Sequence, residues 1–209
     1  MLRAAHDLSS LLTVVIGYCD QAIAQGDLSP VHKARAAAQK SIEVLREGFG
    51  REMSRADAGV TDLRELALEI ADLLRGDFVE RGIAIHLDLP PDPVIARGDA
   101  LALFRAILNL CLNGRNAMQA CRRLDREMWI STHKKSEREA VISVRDTGTG
   151  MHPVFLREIW KPQVNADLRH GHGLRIVKKT VDECGGRIQI ESELGRGTEV
   201  TITLPATAA

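Results

Sequence analysis

The stretch Val144-Arg145-Asp146-Thr147-Gly148-Thr149-Gly150-Met151 decides how this chain is read. Ala140 to Arg145 alternates in the manner of a half-buried strand, and Asp146 stands where that strand ends. Two glycines one residue apart follow, which places a carboxylate beside backbone that carries no side chains. A plain turn has the same local composition, so the surrounding elements must discriminate. Upstream, Met128 to His133 is a second strand, joined to the first by a charged hairpin over Lys134 to Glu139. Asp99 to Cys121 reads as a long helix. Thr61 to Arg75 reads as another, with Thr61 as its N-cap, and Ile83 to Leu89 as a strand ending at Pro90-Pro91. Downstream, Leu174 to Cys184 is helical and stops at Gly185-Gly186. Arg187 to Ser192 and Glu199 to Leu204 then form two strands around the turn Gly195-Arg196-Gly197. Helices on one side of a mixed sheet make an α+β sandwich over residues 61–207.

The first 57 residues have a different period. Leu8, Leu11, Leu12, Val15, Tyr18, Cys19 and Ala22 recur at helical spacing over Leu2 to Ala24. Gly26 stops that helix, while Ser29 and Pro30 start the next. Val31, Ala34, Ala38, Ile42, Leu45 and Phe49 carry the period to Arg55. A two-helix hairpin cannot bury both apolar stripes alone, so the expectation is a homodimer through residues 2–55, closed as a four-helix bundle. Ala56 to Val60 reads as a linker.

Composition narrows the function classes. Of 209 residues, 28 are Lys or Arg and 28 Asp or Glu, so no basic field argues for nucleic acid or an anionic membrane. Aromatics are 3%, too few for a base-stacking surface. Four widely spaced cysteines without a CxxC pair fit free thiols in a reducing cytoplasm. No apolar run is long enough to span a bilayer, and His6, Asp7 and two serines interrupt any signal-peptide core. A sensor or membrane segment of a parent protein is expected to lie outside this sequence.

Three further clusters carry chemistry. His6 lies off the apolar stripe of the first helix, with Asp7 beside it. A neutral imidazole is a competent nucleophile near neutral pH, and an adjacent carboxylate can hold its protonated nitrogen. Asn109, Asn113 and Asn116 recur at i, i+4 and i+7 and draw a polar stripe down an otherwise apolar helix. Asn is a poor helix former, and the stripe is either a solvated face or a set of oxygen ligands for Mg²⁺. Finally, His170-Gly171-His172-Gly173 opens the helix at Leu174, where amide N–H groups can meet a phosphate.

In this order the clusters resemble the core of sensor histidine kinases. His6-Asp7-Leu8-Ser9-Ser10-Leu11-Leu12-Thr13 resembles the phosphoacceptor box of the subgroup reading HDFNNLLT, with Leu8, Ser9 and Ser10 in place of Phe-Asn-Asn. Asn109 to Met118 resembles the N-box NLxxNARDAM, with Gly114 for Ala and Asn116 for Asp. Asp146-Thr147-Gly148-Thr149-Gly150 resembles the first glycine box of the Bergerat ATP-binding fold, shared with gyrase. Gly171 and Gly173 resemble the second glycine box, with Arg169 standing for its first glycine. Gly195-Arg196-Gly197-Thr198 resembles the last Gly-Thr turn.

The resemblance implies a dimerisation and phosphoacceptor hairpin over 1–57 and a Bergerat-type ATPase domain over 61–207. ATP and Mg²⁺ would be its cofactors, with Asn113 the metal ligand. Asn109, Asn116, Asp146, Gly148, Gly150, Arg169, Gly171, Gly173 and Thr198 would line the nucleotide site. His6 would accept the γ-phosphoryl group, assisted by Asp7, and Ser10 would fill the position that orients water for dephosphorylation. The partner would be the receiver domain of a response regulator. The lid between Gln163 and His170 is short and lacks the Phe-Phe-Thr-Thr-Lys element. A second reading therefore stays open: a dimeric relay protein that carries phosphoryl groups between response regulators without ATP.

Overall fold

The computed structural model describes residues 59–121, 124–158 and 172–206, which belong to one compact unit, Ala58–Ala209. The expected hairpin, with His6, Asp7 and Ser10, lies outside the described residues, as do Arg169 and Gly171. In chain order the elements are β1 (Val60–Asp62), α1 (Leu63–Glu80), β2 (Ile83–Asp88), β3 (Ile95–Arg97), α2 (Ala100–Ala120), β4 (Arg126–Ser136), β5 (Glu139–Asp146), α3 (Pro153–Glu158), α4 (His172–Glu183), β6 (Arg187–Glu193) and β7 (Gly197–Pro205).

Five strands form one sheet in the order β2-β4-β5-β7-β6. The β2–β4 pair is parallel and the other three pairs are antiparallel, so the sheet is mixed, as expected. Alternation sends Met128 and Ile130, then Ala140, Ile142 and Val144, then Val200, Ile202 and Leu204 to one face, where all are buried. The helices cover that face. Leu63, Leu66, Ile70, Leu74 and Phe78 from α1 join Leu103, Ile107, Leu110 and Met118 from α2, and Leu174, Val177 and Val181 from α4. Their three- and four-residue spacing is the amphipathic pattern of the sequence, now spent on one aliphatic core. Truncating a fully buried member such as Ile107 to Ala would cost about 2–5 kcal/mol.

One helix start departs from expectation in an instructive way. Thr61 is not the N-cap of α1. It sits in β1, where its hydroxyl donates to the Gly98 carbonyl at 2.8 Å, because β1 pairs with β3 in a separate two-stranded sheet. Asp62 caps instead, its Oδ1 accepting from Arg64 N at 2.9 Å and from Val94 N at 3.1 Å. The helix then runs beyond Arg75 to Glu80, because Phe78 is wholly buried and extends the apolar stripe by a turn. For α2 the expected start holds: Asp99 is the N-cap and accepts from Ala102 N at 2.7 Å.

The other face of the sheet carries polar side chains and one ladder of rings. Trp129 stacks on His86 with centroids 5.1 Å apart, and the Arg145 guanidinium lies 5.0 Å from its ring centre. Among the described residues no helix is long and apolar enough to cross a membrane.

Candidate active site

The site forms where β5 ends beneath α2. Asp146 is the last residue of β5 and is buried. Its Oδ1 accepts from the Gly148 N–H at 2.8 Å, and the Thr198 N–H also donates to the carboxylate. Burial pushes the Asp146 carboxyl above its ordinary range, and these two donors oppose that rise.

Two glycines set the space around the carboxylate. A β-carbon on Gly114 would stand 3.1 Å from Asp146 Oδ2, and one on Gly148 would stand 2.8 Å from Oδ1. Both carboxylate oxygens are thus flanked by backbone without side chains, one wall from α2 and one from the loop. An acceptor held in such a cradle suits a flat ring bearing an N–H donor, and the amino edge of adenine is one such group. The residues present fit an adenine nucleotide.

The loop after Asp146 is fixed on both sides. Thr149 N donates to the Ala117 carbonyl at 3.4 Å, and Gly195 N donates to the Thr149 carbonyl at 2.7 Å. Gly150 turns with φ +64°, and any side chain there would collide with the Glu193 carbonyl. The β6–β7 turn approaches equally closely, since a β-carbon on Gly197 would collide with the Asp146 carbonyl. The glycines of the DxGxG stretch and of the closing turn therefore serve one contact, which the sequence could show only as two separate turns.

Ser192 was not singled out in the sequence, and it joins these parts. Its Oγ accepts from Met151 N at 2.8 Å, lies 2.9 Å from Thr198 Oγ1 and lies 3.0 Å from the Gly197 carbonyl. No sequence signal marked it, because a Ser in a strand is ordinary and its partners lie across the turn, at Gly197 and Thr198, and 41 residues upstream, at Met151. Thr198 is buried and works through its backbone N–H toward Asp146, while its hydroxyl is turned to Ser192.

The polar stripe of α2 reaches the opposite wall. Asn113 is exposed and Asn109 half-buried. A β-carbon on Gly173, in the first turn of α4, would stand 3.1 Å from Asn113 Nδ2 and 3.4 Å from its Oδ1. Gly173 thereby leaves the carboxamide reachable. That oxygen is a suitable hard ligand for Mg²⁺ alongside phosphates and water. Among the described residues no group of three or more His, Cys, Asp or Glu could hold a metal ion. Asn116 is exposed, and its Oδ1 accepts from Arg115 Nη2 at 3.1 Å and Nε at 3.3 Å. His152 serves locally, its Nδ1 accepting from Val154 N at 3.2 Å at the start of α3.

Residues 98–208 match the family of histidine kinase-, DNA gyrase B- and HSP90-like ATPases, and the chain belongs to that family. It is similar to sporulation kinase D of Bacillus subtilis, at 30% identity over 72% of this chain and 29% of that protein. It is also similar to histidine protein kinase DivJ of Caulobacter vibrioides, at 28% identity over 100% of this chain and 37% of the relative. The chain thus spans well under half the length of the curated relatives it matches. Among solved structures the catalytic domain of histidine kinase ThkA superposes with a TM-score of 0.59 at 20% identity, over 72% of this chain and 97% of that one, which shows a shared fold.

Proposed function

We propose that this chain is the catalytic core of a cytoplasmic histidine kinase of a two-component system. ATP binds with Mg²⁺ between the Asn113 helix, the Asp146–Gly150 loop and the Gly171–Gly173 segment. His6 attacks the γ-phosphorus, and a nitrogen–phosphorus bond forms as the bond to the ADP oxygen breaks; Mg²⁺ held at Asn113 would supply positive charge against that developing on the phosphates. Asp7 assists the His6 imidazole. The phosphoryl group then passes to an Asp of a response regulator receiver domain, and Ser10 orients water when the regulator is dephosphorylated. Arg169 supplies a cation at the phosphate end of the site. The protein works as a homodimer through residues 2–55, which form its own domain within 1–57, with the ATPase domain over 61–207.

One observation carries the reading: a buried Asp146 carboxylate walled by Gly114 and Gly148, with Asn113 exposed beside Gly173. The similarity to DivJ runs over the whole chain, the His6 segment included, and supports coupling that site to a phosphoacceptor. The test is incubation with γ-labelled ATP and Mg²⁺. Acid-labile label that disappears in His6→Gln is the expected result. Failure to bind ATP, with phosphoryl accepted from a phosphorylated receiver domain, would replace the kinase with the ATP-independent relay.

A further inference from the structure

Outside the cradle, one part-buried ionic cluster touches α2. Asp77 lies in the last turn of α1. Its Oδ1 accepts from Arg81 Nε at 2.8 Å and its Oδ2 from Arg115 Nη1 at 2.9 Å. Arg81 is itself held, because its carbonyl accepts from Arg126 Nη1 at 3.1 Å. The Arg115 side chain is only 14% exposed, and its remaining Nε and Nη2 both point at Asn116 Oδ1. All three guanidinium nitrogens are thus committed, one to Asp77 and two to Asn116.

This fixes which end of the Asn116 carboxamide faces which way. A guanidinium has donors and no acceptor, so the atom it meets on Asn116 must be the oxygen. The Nδ2 edge is then turned away from Arg115, and it has no hydrogen-bond partner among the described residues. A divalent cation such as Mg²⁺ needs oxygen, and the Asn116 oxygen is engaged. Asn116 shares its helix stripe with Asn113 but offers the opposite polarity.

We infer that Asp77, acting through Arg115, is a positioning residue that makes Asn116 an N–H donor to a nucleotide phosphate oxygen, not a ligand of the metal. The inference rests on the nucleotide reading given above and deepens it. Two side chains three residues apart then divide the work, Asn113 addressing the metal and Asn116 the phosphate. The relay begins on α1, at Asp77.

A double-variant cycle on the full chain tests this, with ADP titrated calorimetrically in Mg²⁺ and again in EDTA. Asp77→Ala and Asn116→Ala should each weaken ADP binding about tenfold. The double variant should bind no more than about twofold worse than either single variant, because Asp77 acts through Asn116. The Asn116→Ala loss should be equal with and without Mg²⁺. Asp77→Asn keeps the side-chain shape and drops the charge, and it replaces Asp77→Ala in the cycle should that variant fail to fold. Losses that multiply to about a hundredfold would mean a structural role only and would overturn the relay. An Asn116→Ala loss confined to Mg²⁺ would make Asn116 a metal ligand and overturn it likewise. Absence of ADP binding by the wild-type chain would remove the nucleotide reading itself, and the inference with it.

Discussion

Gly148 lies flush against Ala117: a β-carbon on Gly148 would stand 2.6 Å from Ala117 Cβ and 2.8 Å from the Ala117 carbonyl carbon. The loop that follows Asp146 is therefore pressed onto the last turns of α2, which holds the carboxylate against that helix. Real side chains do not approach that closely, so a larger residue must move backbone.

Gly148→Ala is expected to destabilise the domain by about 1–3 kcal/mol and to weaken ADP binding more than stability alone explains, because the shift displaces Asp146. Gly82→Ala is the matched control. Gly82 has φ +65° with nothing within 4 Å of its added β-carbon, so it should cost about 1 kcal/mol and leave ADP affinity alone. Thermal melts paired with ADP titration separate the two.

Ser192→Ala should cost about 1–3 kcal/mol, since the part-buried Met151 N–H loses its acceptor at 2.8 Å. Its effect on ADP binding should be smaller than that of Gly148→Ala, because the hydroxyl is spent on Met151, Gly197 and Thr198 and does not contact Asp146. A Ser192→Ala protein with wild-type stability would contradict the hub.

Protonation of Asp146 should act on binding and on stability in opposite directions. Burial raises its carboxyl above the ordinary 3.8, against the Gly148 and Thr198 donors. Above the raised value the group is an ionised acceptor and ADP affinity is full; affinity falls as pH drops through it. A raised acid contributes stability that is fully present below the unfolded value of 3.8 and is lost as pH rises through the folded one. The stability difference between wild type and Asp146→Asn should therefore move in the wild type's favour on acidification, while the difference in ADP affinity shrinks. Both are read from melts and titrations in steps from neutral to acid pH.

The sheet and its helices were legible because their signals are local. The apolar stripes of α1 and α2 repeat often enough to be read, and Ala140 to Arg145 is a strand as expected, though Ala140 to Val144 are buried on both faces and do not alternate. What escaped is short or depends on distant partners. Val60–Asp62 and Ile95–Arg97 have three residues each, too few for a period, and they are strands only because they pair with one another. Thr61 looked like a cap because Ser, Thr and Asp are interchangeable there on paper, and only the Gly98 contact assigns the role to Asp62.

The same split runs through the site. Asp146, Gly148, Gly150 and Asn113 stand out in sequence because their residue types carry the chemistry. Ser192, Asp77 and Arg115 do not, because Ser192 meets Met151 across 41 residues and Asp77 meets Arg115 across 38, and no local pattern encodes such a pairing.

The central claim is that the Asp146 cradle receives the amino edge of adenine. Its most direct test is competition for the site in Mg²⁺ between ADP and GDP, in wild type and in Asp146→Asn. Adenine presents an N–H donor to the carboxylate where guanine presents a carbonyl oxygen. Saturable ADP binding, GDP weaker by more than about tenfold, and loss of ADP binding in Asp146→Asn are the expected results. Equal binding of the two nucleotides, or full ADP affinity in Asp146→Asn, would contradict it.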